Sequence, residues 1–520
     1  MAGTLTGVDP RTGETVGTGV PEAGPDEARA AAAAAAKAFR ERPAPGAPGS
    51  FDDAVLLETV AAGLEDVAGE LVEVAARETG LAEDRLRGEV ARTVNQLRAF
   101  AAARLDGLLA DAIIDTSRPD ASPPRPDQRR VAVPLGPVAV FSASNFPFAF
   151  STAGGDTASA FAAGCPVILK AHPAHPVTSH VTGQAVSAAV RAAGAPQEWF
   201  QLLQGASVEL GQALATADDV AAVAFTGSLR AGRALVDAAA GREVPIPVFA
   251  EMGSINPLVV TPAALERRGG EIGRALAGAV LGSAGQLCTK PNLVLAAEGP
   301  GLDDLVGALT DAVSGAGELV MLTTRLRDGF AASWRHLLQD ADVREVVPSS
   351  PGAREGAWQS PGLATVPAAA LLQRPDLLEE HFGPGTVVAV ARNGDELERL
   401  VATLPGTLTA TLQGEDDDKD DSGVHRLAAA LAARAGRMIW NGLPTGVTVG
   451  HATVHGGPYP ATSAPATTSV GTTAARRFQR PVGYQAWPDA LLPAELQDAN
   501  PLGIVRLVDG TYTRDRVVRN

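Results

Sequence analysis

The sequence predicts an α/β protein with two doubly wound parallel sheets and a small β arm, on three observations. Short β-branched runs alternate with Ala-rich stretches of helix length between Val131 and Glu251, the alternation resumes from Asn256 to about Gly450, and the tail from Arg480 carries a strand pair. At 520 residues the chain needs more than one domain, because single cores stop growing beyond roughly 250–300 residues.

Residues 1–115 read as mostly helical. GPDEARAAAAAAAKAFRE opens with acidic residues, and VLLETVAAGLEDVAGELVEVAARETG repeats apolar residues at helical spacing. These helices are expected to cover one face of a sheet. TSRPDASPPRPDQ, with its four prolines and no apolar period, is a connection or an edge strand. GPVAVF, CPVILK, EWFQLL, VAAVAFTGS and PIPVFAEMG then predict the first sheet, and PLVV, NLVLAA, TVVAVA, GTLTATLQ and RMIW predict the second. The division expected is 1–115 with 137–253 as a cofactor-binding unit, 254–450 as a second unit completing a site between them, and 116–136 with 480–520 as oligomerisation strands. GEDDDKDDSG at 414–423 reads as a solvated loop, and GIVRLVDGTYTRDRVV as a strand pair turning at Asp509 and Gly510.

Composition narrows the function. A net charge of −16 opposes binding to phosphate backbones, so nucleic acid is not an expected partner. No apolar run is long enough to span a bilayer and the N-terminus lacks a basic patch followed by an apolar core, which makes the cytoplasm the expected compartment with no membrane association. Two cysteines provide neither a disulfide framework nor a Cys-rich zinc site. Cys165 opens an apolar strand, whereas Cys288 lies among small and polar residues in GSAGQLCTKPN, the setting of a reactive thiol. His172 and His175 in HPAHP have no third ligand nearby in sequence, and no metal is expected. No GxGxxG occurs, so the usual dinucleotide fingerprint is absent.

FSASNFPFAF, VILKAHPAHP, AFTGS, FAEMGSINP, GQLCTKPN, EEHFGPGTVV and NGLPTG, in this order, resemble the aldehyde dehydrogenase superfamily over nearly the whole chain. The resemblance implies that family's fold and a thioester route. Cys288 matches the nucleophile that turns the aldehyde carbon tetrahedral before hydride can leave. Asn145, with the backbone N–H of Cys288, matches the oxyanion donors, and Glu251 the base that activates water on the thioester. Met252, Gly253 and Ser254 stand where the family often has Gly-Gly-Lys.

For the cofactor the resemblance points to Lys170 and Glu380 at the two riboses, with Gly253 and Phe382 beside them. Thr226, Gly227 and Ser228 stand at a helix start suited to phosphate. Pro173 occupies a position where NAD-preferring members often place a glutamate. With Lys170, His172 and Arg230 nearby as compensating groups, NADP is favoured and NAD tolerated. STAGGDTASAFAAGCPVILKAHPAHPVTS and TGVTVGHATVHGGPYPATS resemble the 2-oxoglutarate semialdehyde dehydrogenases and their fatty aldehyde relatives. An acidic aldehyde needs a cation, and Arg92 either supplies it or is an exposed helix arginine. Phe146, Phe150 and Leu287 are expected to form apolar walls. His455 either orients water or substrate at the thiol or bonds its own loop. A homodimer or homotetramer is expected. The rival readings are a medium- or long-chain aldehyde dehydrogenase, a CoA-acylating relative, and a silent relative of the fold.

Overall fold

The computed structural model describes residues 3–43 and 47–518. Val138–Phe141, Val167–Lys170, Phe200–Leu203, Ala222–Thr226 and Val248–Glu251 form a five-stranded parallel sheet from the five runs predicted for it. Val138–Phe141 is central, with Val167–Lys170 on one side and Ala222–Thr226 on the other. The winding reverses beside it, which opens a crevice at the carboxyl ends of these strands.

Alternate residues of each strand enter opposite cores. Val138, Val140, Val167, Leu169, Ala222 and Ala224 pack into the core that holds Leu57, Leu71 and Leu97 from the N-terminal helices. Ala139, Phe141, Ile168, Val223 and Phe225 face a second core with Ala28, Ala32 and Leu214. Both faces are covered, which is why these strands read as continuous apolar runs. The second sheet has seven strands in the order Arg344–Val347, Gly362–Pro367, Gly385–Ala391, Leu293–Ala297, Leu258–Val260, Thr407–Gln413 and Ala435–Trp440. Arg344–Val347 pairs antiparallel and the others run parallel. The sequence reading missed Arg344–Val347 and Gly362–Pro367, which are bounded by Pro and Gly and carry no strong apolar alternation.

A third sheet joins Gln479–Gln485, Gln128–Pro134, Ile113–Asp115, Arg506–Val508 and Thr511–Thr513. Asp509 and Gly510 both have positive φ, as the two-residue turn between its last strands requires. Among the described residues no helix is long and apolar enough to cross a membrane.

Two expectations need correction. Thr4–Val8 and Thr15–Pro21 form an antiparallel hairpin where helix was expected, and the overlooked signal is the turn chemistry of Asp9, Pro10 and left-handed Gly13. The acidic run is not simply solvated. Asp418 is buried and accepts hydrogen bonds from Thr261 Oγ1 at 2.6 Å and Glu415 N at 2.7 Å, while Arg267 and Arg268 pair with Asp417 and Glu415.

Candidate active site

The first sheet contributes from its carboxyl ends. Asn145 follows Phe141, Lys170 ends its strand, Thr226–Ser228 lead from their strand into the helix Leu229–Ala240, and Glu251 ends the edge strand. The second sheet contributes from loops that precede strands: residues 286–292 before Leu293–Ala297, and residues 380–384 before Gly385–Ala391. His455 follows the edge strand Ala435–Trp440, in a segment laced back onto the first sheet by Met252 N to Ala461 O at 2.7 Å and Ser463 N to Ala250 O at 2.9 Å.

At the junction Cys288, Glu251 and His455 place Sγ, a carboxylate oxygen and a ring nitrogen within 4.8 Å of one another. His455 Nε2 lies 3.6 Å from Cys288 Sγ and 2.9 Å from Glu251 Oε1. The contact to Oε1 is close but lacks hydrogen-bond alignment, so Oε1 is a buried acceptor without an aligned donor. Glu251 Oε2 accepts from Ser469 Oγ at 2.6 Å. Burial pushes the Glu251 carboxyl up, yet His455, Ser469 and Arg477 outweigh it and hold the group below the usual carboxylate range. The Cys288 thiol is driven well above its ordinary value, first by burial and then by the charges of Glu251 and Glu380, with Arg92 and Arg437 opposing. A neutral thiol beside an ionised carboxylate and an imidazole needs only one proton removed to become a nucleophile.

The loop leading to the thiol is unusual in its backbone. Ser283, Ala284 and Gly285 have φ of 54°, 53° and 68°, consecutive left-handed residues of which only the last is glycine. A Cβ at Gly285 would stand 2.0 Å from Gly383 O, so the 380–385 loop is pressed directly onto this turn. Such conformations persist where the surroundings over-determine them, as Gln286 does here by donating to Ser283 O and accepting from Leu322 N.

Asn145 is buried, and its Nδ2 donates to Gln286 O at 3.0 Å, two residues before Cys288. Phe146 and Phe150 meet edge-on at 5.2 Å between centroids, and Phe150 lies 5.8 Å from the His455 ring. Leu287 is half-buried beside the thiol. Arg92 is not an exposed helix arginine. It sits 5.2 Å over the Phe150 ring and donates from Nε to Val447 O, while Nη1 and Nη2 are buried without partners. His455 does more than bond its own loop, since its ring contacts both the thiol and Glu251.

At the other end, Ser228 caps the helix Leu229–Ala240 by accepting from Ala231 N, which leaves the Leu229 and Arg230 N–H groups without intrahelical acceptors. Gly227 N donates to Glu251 O, tying this turn to the end of the edge strand. Lys170 Nζ donates to Ala171 O, and burial lowers it to about 8. A Cβ on Gly253 would come within 2.6 Å of Glu380 Oε2, so a side chain here would displace that carboxylate from its place over the backbone. Glu380 is pushed by burial up to about 7. Phe382 is half-buried in the same loop. The sequence reading of His172 as a compensating cation does not hold. Its Nδ1 accepts from Ala174 N, and burial with the nearby His175 and Lys170 keeps the ring neutral. His175 is bonded to Ser179 Oγ and Ala143 O instead of facing a metal.

Sequence reasoning missed the groups that hold these residues in place. On the helix Glu83–Leu105, Arg85, Glu89 and Gln96 share one face with the expected Arg92, and each of the four has a buried side-chain atom without a hydrogen-bond partner among the described residues. Glu89 Oε1 accepts from Phe148 N and Ala149 N, and Arg85 donates to Asn145 O at 2.7 Å. The spacing of charges on a face otherwise apolar was the available signal. Lys290, fully buried, donates to the carbonyls of His381, Gly383 and Gly385 at 2.5–3.0 Å. Asn256 Nδ2 donates to Cys288 O and Lys290 O.

The profile of the Aldehyde dehydrogenase family matches residues 2–457. The chain is 47% identical over 518 residues to alpha-ketoglutaric semialdehyde dehydrogenase 2 of Azospirillum brasilense, covering 98% of this chain and 96% of that protein. It is 41% identical over 461 residues to the alpha-ketoglutaric semialdehyde dehydrogenase of Acinetobacter baylyi, covering 88% and 87%. Among solved structures, methylmalonate-semialdehyde dehydrogenase from Oceanimonas doudoroffii superposes with a TM-score of 0.77 at 21% identity, covering 93% of each chain. Glyceraldehyde-3-phosphate dehydrogenase from Methanocaldococcus jannaschii, solved with NADP, superposes at 0.76 with 18% identity, covering 92% and 98%.

Proposed function

This chain belongs to the aldehyde dehydrogenase family and is an oxidoreductase acting on aldehydes, and from that premise we propose that its substrate is an acidic semialdehyde, alpha-ketoglutaric semialdehyde. The observation that carries this reading is Arg92, whose two terminal nitrogens are buried without hydrogen-bond partners and whose charge is balanced first by Glu89, with Cys288 and Glu251 acting less strongly. An unpaired buried guanidinium is costly unless an anion completes it, and a carboxylate accepts two parallel N–H bonds from it.

In this reading the Cys288 thiolate adds to the aldehyde carbon. The second N–H of the Asn145 amide and the Cys288 backbone N–H face the developing oxyanion. Glu251, already ionised, takes a proton from the water that hydrolyses the thioester, with Ser469 fixing the carboxylate and His455 exchanging protons with the thiol. The hydride acceptor is a bound nicotinamide dinucleotide. The residues present suit it: the open first turn at Leu229–Arg230 for phosphate, Lys170 for the adenosine ribose, and Glu380 over the glycine cradle at Gly253 for the nicotinamide ribose. Pro173 removes a carboxylate that would repel a 2′-phosphate, and Arg230 is exposed on the first turn of that helix, so NADP is preferred with NAD accepted.

The unit 1–115 with 137–253 holds the cofactor, 254–450 carries the thiol, and 116–136 with 480–520 form the arm of a homodimer or a tetramer of dimers. Support for the arm comes from two exposed surfaces. The edge strand Ala435–Trp440 of the second sheet leaves Met438 and Trp440 in solvent beside an apolar groove that includes Val424 and Ala428, a surface fit to receive such an arm, and among the described residues Gln479–Gln485 is paired on one side only, with Gln128–Pro134. Both cysteines are free thiols, which suits a reducing cytoplasm. The reading is tested by assaying alpha-ketoglutaric semialdehyde, succinate semialdehyde, a medium-chain aliphatic aldehyde and glycolaldehyde with NADP and NAD, with and without coenzyme A. Acid formation without coenzyme A and a kcat/KM highest for the alpha-ketoglutaric substrate are expected, and Cys288→Ala abolishes both. Preference for the aliphatic aldehyde overturns the substrate.

A further inference from the structure

We propose that Cys288, His455 and Glu251 also form a binding site for a borderline-soft divalent cation, Zn²⁺ or its analogue Co²⁺, whose occupancy holds the enzyme in a reversible inactive state. The binding half stands on geometry alone. The inactive half rests on the thioester reading above.

The three side chains come from three separate segments, namely the end of the strand Val248–Glu251, the loop before Leu293–Ala297, and the segment after Ala435–Trp440. They offer sulfur, nitrogen and oxygen, and their donor atoms lie within 4.8 Å of one another. Metal–ligand bonds of about 2.0–2.3 Å in tetrahedral geometry hold ligand atoms about 3.3–3.6 Å apart. Sγ and Nε2 already stand at 3.6 Å, Nε2 and Oε1 at 2.9 Å need to part by a few tenths of an ångström, and the sulfur and carboxylate oxygen, within 4.8 Å, close by about 1 Å as the two side chains turn toward the ion. Oε1 has no aligned donor to surrender, and Oε2 is held by Ser469, so the carboxylate is oriented as a metal-bound carboxylate usually is.

Charge also balances. A thiolate and a carboxylate sum to −2, so a divalent ion leaves a buried cluster with no net charge, which is the condition under which ionised groups are stable away from water. The ion displaces the thiol proton to solvent, and no electrons move. Three protein ligands leave the fourth tetrahedral position open, as in catalytic and not in structural zinc sites, so the ion exchanges with chelators. With the sulfur lone pair and Oε1 both engaged, neither addition to an aldehyde nor deprotonation of water by this carboxylate oxygen proceeds.

The test uses the full-length enzyme freed of metal by dialysis against EDTA. Aldehyde oxidation by this metal-free protein is measured first, and its absence would count against the proposed function and not against the metal site. Co²⁺ is then titrated. Expected are one equivalent bound per chain, the intense visible bands of a tetrahedral ion, a sulfur-to-cobalt charge-transfer band that disappears in Cys288→Ser, and a parallel loss of oxidation that EDTA restores. His455→Asn and Glu251→Gln, each checked for native circular dichroism, weaken Co²⁺ binding at least ~10-fold, the smaller end of what even an outer-shell change costs a metal site. The proposal is overturned if Co²⁺ does not bind stoichiometrically, if Zn²⁺ inhibits the wild type at the same midpoint at which it blocks Cys288 alkylation in both variants, or if the ion raises the rate.

Discussion

Glu89, on the helix Glu83–Leu105 and more than fifty residues away in sequence, accepts the Phe148 N–H at its Oε1 at 2.8 Å, and the same oxygen accepts from Ala149 N at 2.9 Å. This carboxylate therefore sets the loop on which Asn145 and both phenylalanines are mounted. Replacing Glu89 by Ala strands two buried N–H groups, at about 1–3 kcal/mol for each unsatisfied donor. We expect a lower Tm and a fall in kcat larger than any rise in cofactor KM, because Asn145 shifts while the ribose contacts do not. An unchanged kcat would show that the loop holds itself.

Arg92→Ala removes a charged, two-point contact to a substrate carboxylate. At ~1.5–3 kcal/mol for a hydrogen bond to a charged group, kcat/KM for alpha-ketoglutaric semialdehyde should drop roughly 10- to 150-fold. Neutral aldehydes should change by a few-fold only. Equal losses on both would mean that Arg92 supports Phe150 and does not grip the carboxylate.

The pH profile follows from two opposite shifts. Glu251 is held below the ordinary carboxylate range, so it is ionised throughout the neutral region and its protonation limits the rate only in strong acid. The Cys288 thiol is raised by burial and by Glu251, so the thiolate fraction, and with it alkylation by iodoacetamide in the absence of cofactor, should climb with pH beyond 9. Glu251→Gln removes one of the charges that raise the thiol and should move the alkylation profile to lower pH. A profile that stays in place would assign the shift to burial alone.

Lys290 uses all three ammonium protons on carbonyls of the 380–385 loop, although burial lowers it to about 7. Lys290→Met keeps the volume and removes the donors. Thermal unfolding should report a loss of ~2–4 kcal/mol, in line with several buried carbonyls left unpaired. Dinucleotide KM should rise because Glu380 is on the loosened loop. A normal KM with lowered stability would confine Lys290 to the fold.

Trp440→Glu places a charge on the exposed edge strand. Light scattering should show a shift toward monomer, and the same oligomer as wild type would move the subunit contact elsewhere.

Much of the architecture is written locally. Ten of the strand segments read from the sequence lie in the two large sheets, most of them as runs that stand out between Ala-rich helices because a strand covered on both faces is largely apolar. The arm's last turn is equally local, since Asp509 and Gly510 tolerate positive φ. The N-terminal hairpin and the strands at 344–347 and 362–367 escaped because Gly, Pro or charged residues interrupt their apolar runs, so that pairing with a neighbour, not composition, makes the strand.

The sequence by itself singled out the residues to which the proposed chemistry is assigned, because Cys288, Glu251 and Asn145 sit in segments whose residue types and order are distinctive. Tertiary structure alone decided their states. A carboxylate at 251 and a thiol at 288 have ordinary affinities for protons until their surroundings displace them in opposite directions: burial is outweighed at Glu251 by His455, Ser469 and Arg477, while at Cys288 burial is reinforced by the charges of Glu251 and Glu380. The buried guanidinium of Arg92 over Phe150 and the three-carbonyl grip of Lys290 are likewise set by neighbours distant in sequence. Desolvation and through-space charge depend on what surrounds a group in three dimensions, and no reading of nearby residues supplies that.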